Sequence, residues 1–310
     1  MIWLLVTMTV LAYDVRAERP AVTDRHSGAA PMDNPICRRG ALRGLTAFGV
    51  LASAGVGSAD GAAPAPRSAG PARGTLLIIG GGEPGTEIQN AAIELGGKPP
   101  RWVFIPTAAT DAEVAKAEPP AFIRRSDGNL TVLHTRDCKV ADSEAFVAPI
   151  RTATAVFFEG GRQWRLVDAY GDTRTERELR GVLDRNGLIA GTSAGATIQG
   201  SYLVRGAPES NVILMSPGHE RGFGYLSNVA IDQHVGERGR ENDLSVVVAA
   251  HPGLLGVGID EGTAVIVQHN AMTVIGRGAV RITDGADHGG APFYVLKAGS
   301  RFDLANWRVL

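Results

Sequence analysis

The chain has 310 residues and a net charge of −1, from 31 lysines and arginines against 32 aspartates and glutamates. This balance leaves no basic field for nucleic acid or anionic lipid, which excludes a polyanion-binding role. Hydrophobic residues make up 44% of the chain, which excludes global disorder, and no apolar run reaches the ~18 residues that a membrane span needs. The 2 cysteines are too few for a disulfide framework or a multi-cysteine metal site. We therefore expect a globular protein.

The N-terminal part of the chain carries the pattern of an export signal. Arg38 and Arg39 precede an apolar run, Leu45 to Val56, which is followed by the small residues Gly57-Ser58-Ala59. A charged region, an apolar region and a small-residue cleavage site in this order are typical of a signal peptide. Because the two arginines are adjacent, they indicate a twin-arginine signal. The alternative is an N-terminal tail without fixed structure, and Met32 is an alternative start.

Composition also divides the chain into two parts. An Ala/Gly/Pro/Ser tract without apolar periodicity runs from Ser58 to Ala72. We predict that residues 1–73 form a leader with an export signal and a disordered linker, and that residues 74–310 form one folded domain. The export signal implies an extracytoplasmic location, either periplasmic or secreted.

From Gly74 onward, short β-rich runs alternate with helical patterns. Largely apolar runs of this kind are typical of parallel strands buried on both faces. The alternation predicts an α/β fold, a three-layer sandwich with a mostly parallel central sheet between helices. The runs are Thr75–Ile79, Trp102–Ile105, Leu130–His134, Thr154–Phe158, Leu188–Ala190 and Gly256–Ile259.

Helix and turn signals complete the domain. Capping-box patterns beginning at Thr86 and Thr175 each precede apolar residues at helical spacing. A further helix is predicted around Leu244 to Val248. Near the end of the chain, Thr263–Gln268 and Met272–Arg277 flank a short polar turn and predict an antiparallel hairpin.

The pentapeptide Gly191-Thr192-Ser193-Ala194-Gly195 matches the G-x-S-x-G pattern of a nucleophile elbow. An apolar strand precedes it and a helix-compatible stretch follows, so the turn would present the Ser193 hydroxyl at the carboxyl edge of the sheet. The Ala194 N–H, at the start of that helix, would then help to bind an oxyanion. An ordinary glycine-rich turn is the alternative, because the pattern is short.

A nucleophilic serine needs a histidine base and a carboxylate that orients it. Of the 7 histidines, position in the chain leaves His219, His234 and His251 as candidates. His234 follows a short predicted strand and begins a polar cluster, which is where site residues collect. The carboxylate candidates are Glu261 and its neighbour Asp260, which follow another apolar strand.

A second glycine-rich motif, Gly80 to Gly85, satisfies the dinucleotide pattern G-x-G-x-x-G. Pro84 removes a backbone N–H where pyrophosphate would need donors. The acidic residue expected about 20 positions later has no match in the second strand. We therefore set nucleotide binding aside, and the chain shows no spaced set of metal ligands.

Four motifs, taken together and in order, resemble the cyanophycinase family of serine peptidases, which is related to the aspartyl dipeptidases. The resemblance covers about residues 74–285 and implies a fold like that of the class I glutamine amidotransferase domain. The motifs are Gly160-Gly161-Arg162-Gln163, Gly191-Thr192-Ser193-Ala194-Gly195-Ala196, Ile231-Asp232-Gln233-His234 and Gly258-Ile259-Asp260-Glu261-Gly262-Thr263-Ala264.

The resemblance implies that Ser193 is the nucleophile, His234 the base and Glu261 the orienting acid. This chain order differs from the Ser, Asp/Glu, His order of α/β-hydrolases, which disfavours an esterase of that fold. The resemblance also implies that the Gly161 and Ala194 N–H groups bind the oxyanion. The residues that it places in the substrate pocket are Gln163, Asp232, Gln233, Arg238 and Arg240.

The chain departs from the family pattern at two positions. Arg162 replaces the asparagine of a G-G-N-Q motif, and Asp243 stands where a third arginine would follow Arg238 and Arg240. The two remaining arginines would clamp a substrate carboxylate with their planar forks, although both would also suit a solvated loop. Because Asp243 replaces a cation with an anion, we expect weaker use of cyanophycin than of another acidic or arginine-bearing peptide.

The sequence thus predicts a serine exopeptidase that needs no cofactor or metal. Cyanophycin has a poly-aspartate backbone with arginines on its side chains, and the family releases β-Asp-Arg dipeptides from it. The expected partner is a peptide substrate, either cyanophycin or another aspartyl peptide, with a homodimer left open. The alternatives are a non-catalytic peptide-binding protein on the same scaffold and an amidase or esterase with the same triad.

Overall fold

A computed structural model describes residues 68–310 of the chain, so the predicted export signal lies outside the described residues. No helix in this range combines the length and the apolar character that crossing a membrane requires. The strands are β1 Thr75–Ile79, β2 Arg101–Ile105, β3 Asn129–Val132, β4 Ala155–Phe158, β5 Leu188–Thr192, β6 Gly200–Tyr202, β7 Leu226–Gln233, β8 Leu255–Ile259, β9 Thr263–Gln268, β10 Ala271–Gly276, β11 Val280–Thr283, β12 Tyr294–Leu296, β13 Arg301–Asp303 and β14 Arg308–Val309. The helices are α1 Thr86–Leu95, α2 Asp111–Val114, α3 Ala121–Arg124, α4 Cys138–Ala141, α5 Glu144–Thr152, α6 Trp164–Tyr170, α7 Arg174–Asp184, α8 Ala194–Thr197 and α9 Asp243–Ala250.

The larger sheet confirms the predicted α/β class. Its nine strands run in the order β14-β13-β10-β9-β1-β5-β4-β2-β3, and the five from β1 to β3 pair in parallel. Strands β1 and β4 are buried along their whole length. They separate two apolar clusters, one with side chains from α1 and α3 and the other with side chains from α5, α6 and α7. Helices therefore cover both faces of the parallel region, which accounts for the continuous apolar runs.

A second, five-stranded sheet has the order β12-β11-β8-β7-β6. The predicted run Gly256–Ile259 forms most of β8 and lies here, in parallel with β7 rather than beside the other predicted strands. An apolar run indicates that a strand is buried, but it does not indicate which neighbouring strand it pairs with. The ends of β7 and β8 are thereby brought to the same edge of this sheet.

The predicted hairpin is confirmed. Strands β9 and β10 pair antiparallel, with Gln268 opposite Ala271. The turn between them contains His269, whose φ is 51°. Because β9 also pairs with β1, the hairpin extends the larger sheet by antiparallel strands.

Both predicted capping boxes are wrong. Gly85 rather than Thr86 caps α1, and Thr173 rather than Thr175 caps α7, neither with a side-chain hydrogen bond. The Thr175 hydroxyl instead donates to the Ala141 carbonyl at 2.6 Å. A tertiary hydrogen bond thus uses the Thr175 side chain that the local pattern assigned to a helix cap.

The folded unit includes residues before Gly74, where the sequence placed its beginning. Ser68 is 1% exposed and accepts a 3.0 Å hydrogen bond from the Trp307 indole. Ala69 forms a bridge with Ser227. The Ala/Gly/Pro/Ser composition did not show that the end of this tract packs against the domain.

Candidate active site

Ser193 occupies a sharp turn between β5 and α8. Its φ of 53° and ψ of −114° are rarely adopted by L-residues, and its N–H donates to the Ile79 carbonyl at 3.1 Å. The flanking glycines allow the turn to close, because a Cβ on Gly191 would lie 2.2 Å from the Gly195 carbonyl oxygen. The strained backbone and the close approach are the features expected of a nucleophile elbow.

His234 directly follows β7, a strand of the five-stranded sheet, and its side chain contacts Ser193. Its Nε2 lies 2.9 Å from the Ser193 Oγ, and its Nδ1 lies 2.5 Å from the Glu261 Oε1. The His234 backbone, with φ of 54°, donates a 2.8 Å hydrogen bond to the Gly80 carbonyl. The three side chains therefore form one hydrogen-bonded relay in which a carboxylate orients the imidazole toward the hydroxyl.

The structure separates the two carboxylate candidates. Glu261 contacts His234, whereas Asp260 accepts hydrogen bonds from the Gly236 N–H at 2.8 Å, the Ala279 N–H at 3.0 Å and Arg281 at 2.6 Å. Asp260 thus ties β8 to β11 and the loop after His234. Glu261 is the carboxylate that the fold leaves for the relay.

The two other histidine candidates lie outside this relay. His251 caps α9, and its ring packs on Tyr202 with centroids 4.8 Å apart. His219 is in the loop before β7, where its N–H donates to the Ser216 carbonyl. Within the described residues, neither forms a hydrogen bond with Ser193, and only His234 contacts both the serine and a carboxylate.

The glycine motif that resembled a dinucleotide fingerprint packs against the relay. A Cβ on Gly81, whose φ is 114°, would lie 2.2 Å from the His234 Cε1, and one on Gly82 would lie 2.7 Å from the Glu261 Oε2. Sequence reasoning missed this role. The available signal was position, because the glycines follow β1, which lies between the strand of Ser193 and the hairpin strand after Glu261.

The surroundings of His234 favour the neutral imidazole. Burial lowers the pKa of His234 below its usual 6.5, and the nearby cations Arg238 and Arg240 lower it further. The Glu261 carboxylate acts in the opposite direction and raises the pKa. A neutral imidazole is the form that can accept a proton from Ser193.

Two backbone N–H groups close to Ser193 in the fold have no acceptor in the described part of the chain. Neither the Gly161 nor the Ala194 amide donates a hydrogen bond to a protein group among residues 68–310. Gly161 has a φ of 138°, and a Cβ there would lie 2.2 Å from the Ala108 carbonyl oxygen, so the turn requires glycine. The preceding Gly160 lies directly beside the Ser193 side chain, since a Cβ on it would be 3.4 Å from the Ser193 Cβ.

Comparison with known proteins identifies the family. The model of peptidase family S51 matches residues 76–275. The chain belongs to peptidase family S51. This S51 chain is 29% identical over 263 residues to a cyanophycinase of Nostoc sp., covering 76% of the chain and 87% of the relative. It is 31% identical over 225 residues to a cyanophycinase of Geminocystis herdmanii, covering 69% of the chain and 81% of the relative.

A solved structure agrees on the fold. The crystal structure of a peptidase from an acI-B1 actinobacterium superposes with a TM-score of 0.61 at 24% identity, covering 74% of this chain and 97% of that one. The resemblance to the cyanophycinase family is thus confirmed at the level of the family and its glutamine-amidotransferase-like fold. The protein is a serine peptidase.

The residues predicted for the substrate pocket of this S51 peptidase differ in exposure. Arg238 is exposed and forms no ion pair with another described residue, whereas Arg240 is 8% exposed. Gln163 and Gln233 are buried, and the Gln233 Oε1 has no hydrogen-bond partner within residues 68–310. Asp232 is 0% exposed, so its carboxylate faces protein rather than solvent.

The buried carboxylate of Asp232 is paired with a buried arginine, Arg205, which the sequence analysis did not identify. Arg205 is 3% exposed, and its Nε lies 3.1 Å from Asp232 Oδ1 while its Nη2 lies 3.0 Å from Oδ2. The same Nη2 donates to the Asp243 carboxylate. No motif surrounds Arg205 in the sequence, and the loop between β6 and β7 gives no periodic signal.

The loop that carries Arg205 also holds the turn next to Ser193. The Gln163 amide donates to the Val204 carbonyl at 2.7 Å, and Arg162 donates to the Ala207 carbonyl. In the same turn, the Glu159 carboxylate accepts the Gly160 N–H at 2.9 Å, and burial raises the pKa of Glu159. Within residues 68–310, no three His, Cys, Asp or Glu side chains are grouped as metal ligands.

Proposed function

We propose that this protein is a serine exopeptidase that hydrolyses aspartyl or β-aspartyl peptide bonds, with Ser193, His234 and Glu261 as its catalytic triad. The observation that carries the proposal is the relay itself. One imidazole lies 2.9 Å from a strained serine hydroxyl and 2.5 Å from a carboxylate. That arrangement is suited to acyl transfer through a serine ester.

The relay defines the two halves of the reaction. The Ser193 Oγ attacks the peptide carbonyl carbon while its proton passes to the His234 Nε2, and Glu261 stabilises the resulting imidazolium. His234 then returns the proton to the leaving amine as the C–N bond breaks. In the second half, His234 takes a proton from water, which attacks the acyl-enzyme. His234 then returns this proton to the Ser193 Oγ as the ester C–O bond breaks and the acid is released.

The negative charge that develops on the carbonyl oxygen needs donors. The Ala194 amide directly follows Ser193, and the Gly161 amide follows Gly160, which lies beside the Ser193 side chain. Both are without protein acceptors in the described part of the chain, so they are available to this oxygen. Donors held in place before the reaction stabilise the oxyanion without reorganising. This assignment matches the glycine requirement at residue 161, where a side chain would displace the turn.

The pocket favours a substrate with a free carboxylate. Arg238 is unpaired among the described residues, and Arg240 lies next to the relay, so two cations are within reach of an acidic group. The buried Gln233 Oε1 has no hydrogen-bond partner among residues 68–310, and an N–H of a bound peptide would satisfy it. The curated relatives are named cyanophycinases, which makes cyanophycin and β-Asp-Arg peptides the substrates to try first.

A turnover screen with variants tests this function. The wild-type protein is incubated with cyanophycin, β-aspartyl dipeptides and α-aspartyl dipeptides, and released amines are measured. Ser193→Ala and His234→Ala should each lower turnover on the order of 10⁴-fold or more. Ser126→Ala is the matched control and should retain activity, because Ser126 lies just after α3 and its hydroxyl donates to the Ile123 carbonyl. Retained activity in a folded Ser193→Ala protein would contradict the serine mechanism.

We also propose that the protein works outside the cytoplasm after export through a twin-arginine signal. The support is the order of Arg38-Arg39, the apolar run and the small residues that follow it. Mass spectrometry of protein from its native host should find an N-terminus near Asp60 in an extracytoplasmic fraction. Replacing both arginines by lysine should retain the full-length chain in the cytoplasm.

A further inference from the structure

Four charged side chains form one cluster around Asp232, which lies in β7 two residues before His234. Arg205 contributes a planar fork to Asp232, with its Nε 3.1 Å from Oδ1 and its Nη2 3.0 Å from Oδ2. Its Nη2 also donates to Asp243, the first residue of α9. Arg240 is the fourth member, with its Nη1 3.6 Å from Asp232 Oδ1.

Hydrogen bonds to Asp232, Asp243 and the Asn211 carbonyl fix the position of the Arg205 side chain. Its side chain is 4% exposed, and its Nη1 donates to the Asn211 carbonyl at 3.0 Å. Its backbone φ is 56°, a conformation that persists in a non-glycine residue only where the surroundings enforce it. The guanidinium therefore stands at a defined position between β7 and the start of α9.

The pairing decides which charges remain for a substrate. Arg205 uses both oxygens of Asp232 and an oxygen of Asp243, so these two anions face a protein cation. The contact between Arg240 and Asp232 is longer, and Arg240 also donates to the Gln233 carbonyl at 3.2 Å. Arg240 is thereby left only weakly bound to the buried carboxylate.

We propose that Arg205 is a specificity-determining positioning residue: it holds Asp232 and neutralises Asp243, and so keeps Arg240 available for a substrate carboxylate. This inference rests on the proposed function. It opposes the sequence-based expectation for Asp243, because an aspartate bound to Arg205 lowers the potential that the substrate meets less than an unpaired aspartate would. A bidentate pair of this kind depends on the planar fork, which lysine lacks.

The test separates substrate binding from chemistry. In Arg205→Met, Asp232 loses its fork and should pair directly with Arg240. KM for an aspartyl dipeptide with a free carboxylate should then rise about 10-fold or more, while kcat changes less than about 3-fold. KM for the same peptide with that carboxylate amidated should not change. Arg205→Lys retains the cation and should show a smaller KM rise, which provides partial rescue.

Controls and contrary outcomes are defined in the same series. Arg221→Met removes a surface arginine paired with Asp172 and Glu176 and should leave KM unchanged. Asp243→Asn should raise KM about 2-fold, since Arg205 loses one anchor. If Asp243 instead faced the substrate, this variant would lower KM, which would overturn the inference. Should neither Arg205 variant fold, the direction of the Asp243→Asn effect decides.

The failure of this inference is distinguishable from failure of the proposed function. If the wild-type protein cleaves no aspartyl peptide, the proposed function fails before any Arg205 variant is compared. If it does cleave them and KM is unchanged in folded Arg205→Met and Arg205→Lys, only the role of Arg205 is refuted. Reaction of Ser193 with a small sulfonyl fluoride, which carries no carboxylate, should proceed at the wild-type rate in both variants.

Discussion

Ser193 and His234 belong to different sheets, and the 2.9 Å hydrogen bond between Oγ and Nε2 joins them. Ser193 follows β5 of the nine-stranded sheet, and His234 follows β7 of the five-stranded sheet. Both residues have left-handed backbones, with φ of 53° and 54°. The packing of the two sheets therefore sets the distance over which the proposed proton transfer would occur. The strained backbone at both residues is part of the free-energy cost of this packing.

The strain at Ser193 predicts a gain in stability when the side chain is removed. Ser193→Gly should be more stable than Ser193→Ala by about 1 kcal/mol, because glycine adopts this backbone without steric cost, an advantage partly offset by its larger unfolded-state entropy. Both variants lack the hydroxyl and should be inactive. The measurement is denaturant unfolding of the two proteins. A Ser193→Gly protein that is less stable than Ser193→Ala would contradict the prediction, because the strain would then be smaller than the entropy cost of glycine.

The two neighbouring carboxylates should fail in different ways. Glu261→Gln should lower kcat on the order of 10³-fold or more, because the amide cannot stabilise the imidazolium in the same orientation. Asp260→Asn should mainly lower the stability, since Asp260 accepts two backbone N–H groups and pairs with Arg281. Steady-state kinetics and thermal unfolding of both variants check this. A catalytic loss confined to Asp260→Asn would show that the carboxylate assignment is wrong.

The pH dependence follows from the direction of the His234 shift. Burial, Arg238 and Arg240 lower the pKa of His234 below 6.5 against the opposing Glu261, so the neutral base persists to lower pH than for an exposed histidine. The rate of Ser193 modification by a small sulfonyl fluoride should rise with pH through a midpoint below 6.5. Arg238→Gln removes a cation that disfavours the imidazolium, so this midpoint should move upward. A midpoint that moved downward would contradict the effect assigned to Arg238. The control is Arg125→Gln, which removes an exposed arginine and should leave the midpoint unchanged.

The glycine that contacts the imidazole offers a direct test of packing. Gly81→Ala would place a Cβ 2.2 Å from the His234 Cε1 on a backbone with φ of 114°, so the ring must leave the position in which it contacts Ser193. We expect kcat to fall on the order of 10²-fold, the scale of a misplacement of about 1 Å. Gly85→Ala is the matched control, because a Cβ there meets nothing within 4 Å. Equal activity of the two variants would show that the ring position tolerates displacement.

Local patterns in the sequence predicted the parts of the fold that depend on burial and turn chemistry. The apolar runs of β1, β2, β4 and β5 predicted a parallel region, and two strands around a polar turn predicted the β9–β10 hairpin. The elbow at Ser193 was visible because close backbone approach demands glycines on both sides of the serine. Where a side chain had a choice of partners, as Thr175 did, the local pattern predicted a cap that tertiary contacts prevented.

Long-range pairing was decided only by the tertiary structure. The family resemblance selected Glu261 over its neighbour Asp260. The sequence pattern by itself did not separate these two carboxylates, because packing determines which one meets the histidine. It could not assign Gly81 to the site or reveal Arg205, whose partner Asp232 lies 27 positions away in the chain. Charge pairs between distant segments leave no periodicity in a sequence. The sequence by itself determined the buried strands and the turns that need glycine, because these depend on neighbouring residues. Only the tertiary structure decided which charged side chains pair with each other, because these pairs join segments that are distant in the chain.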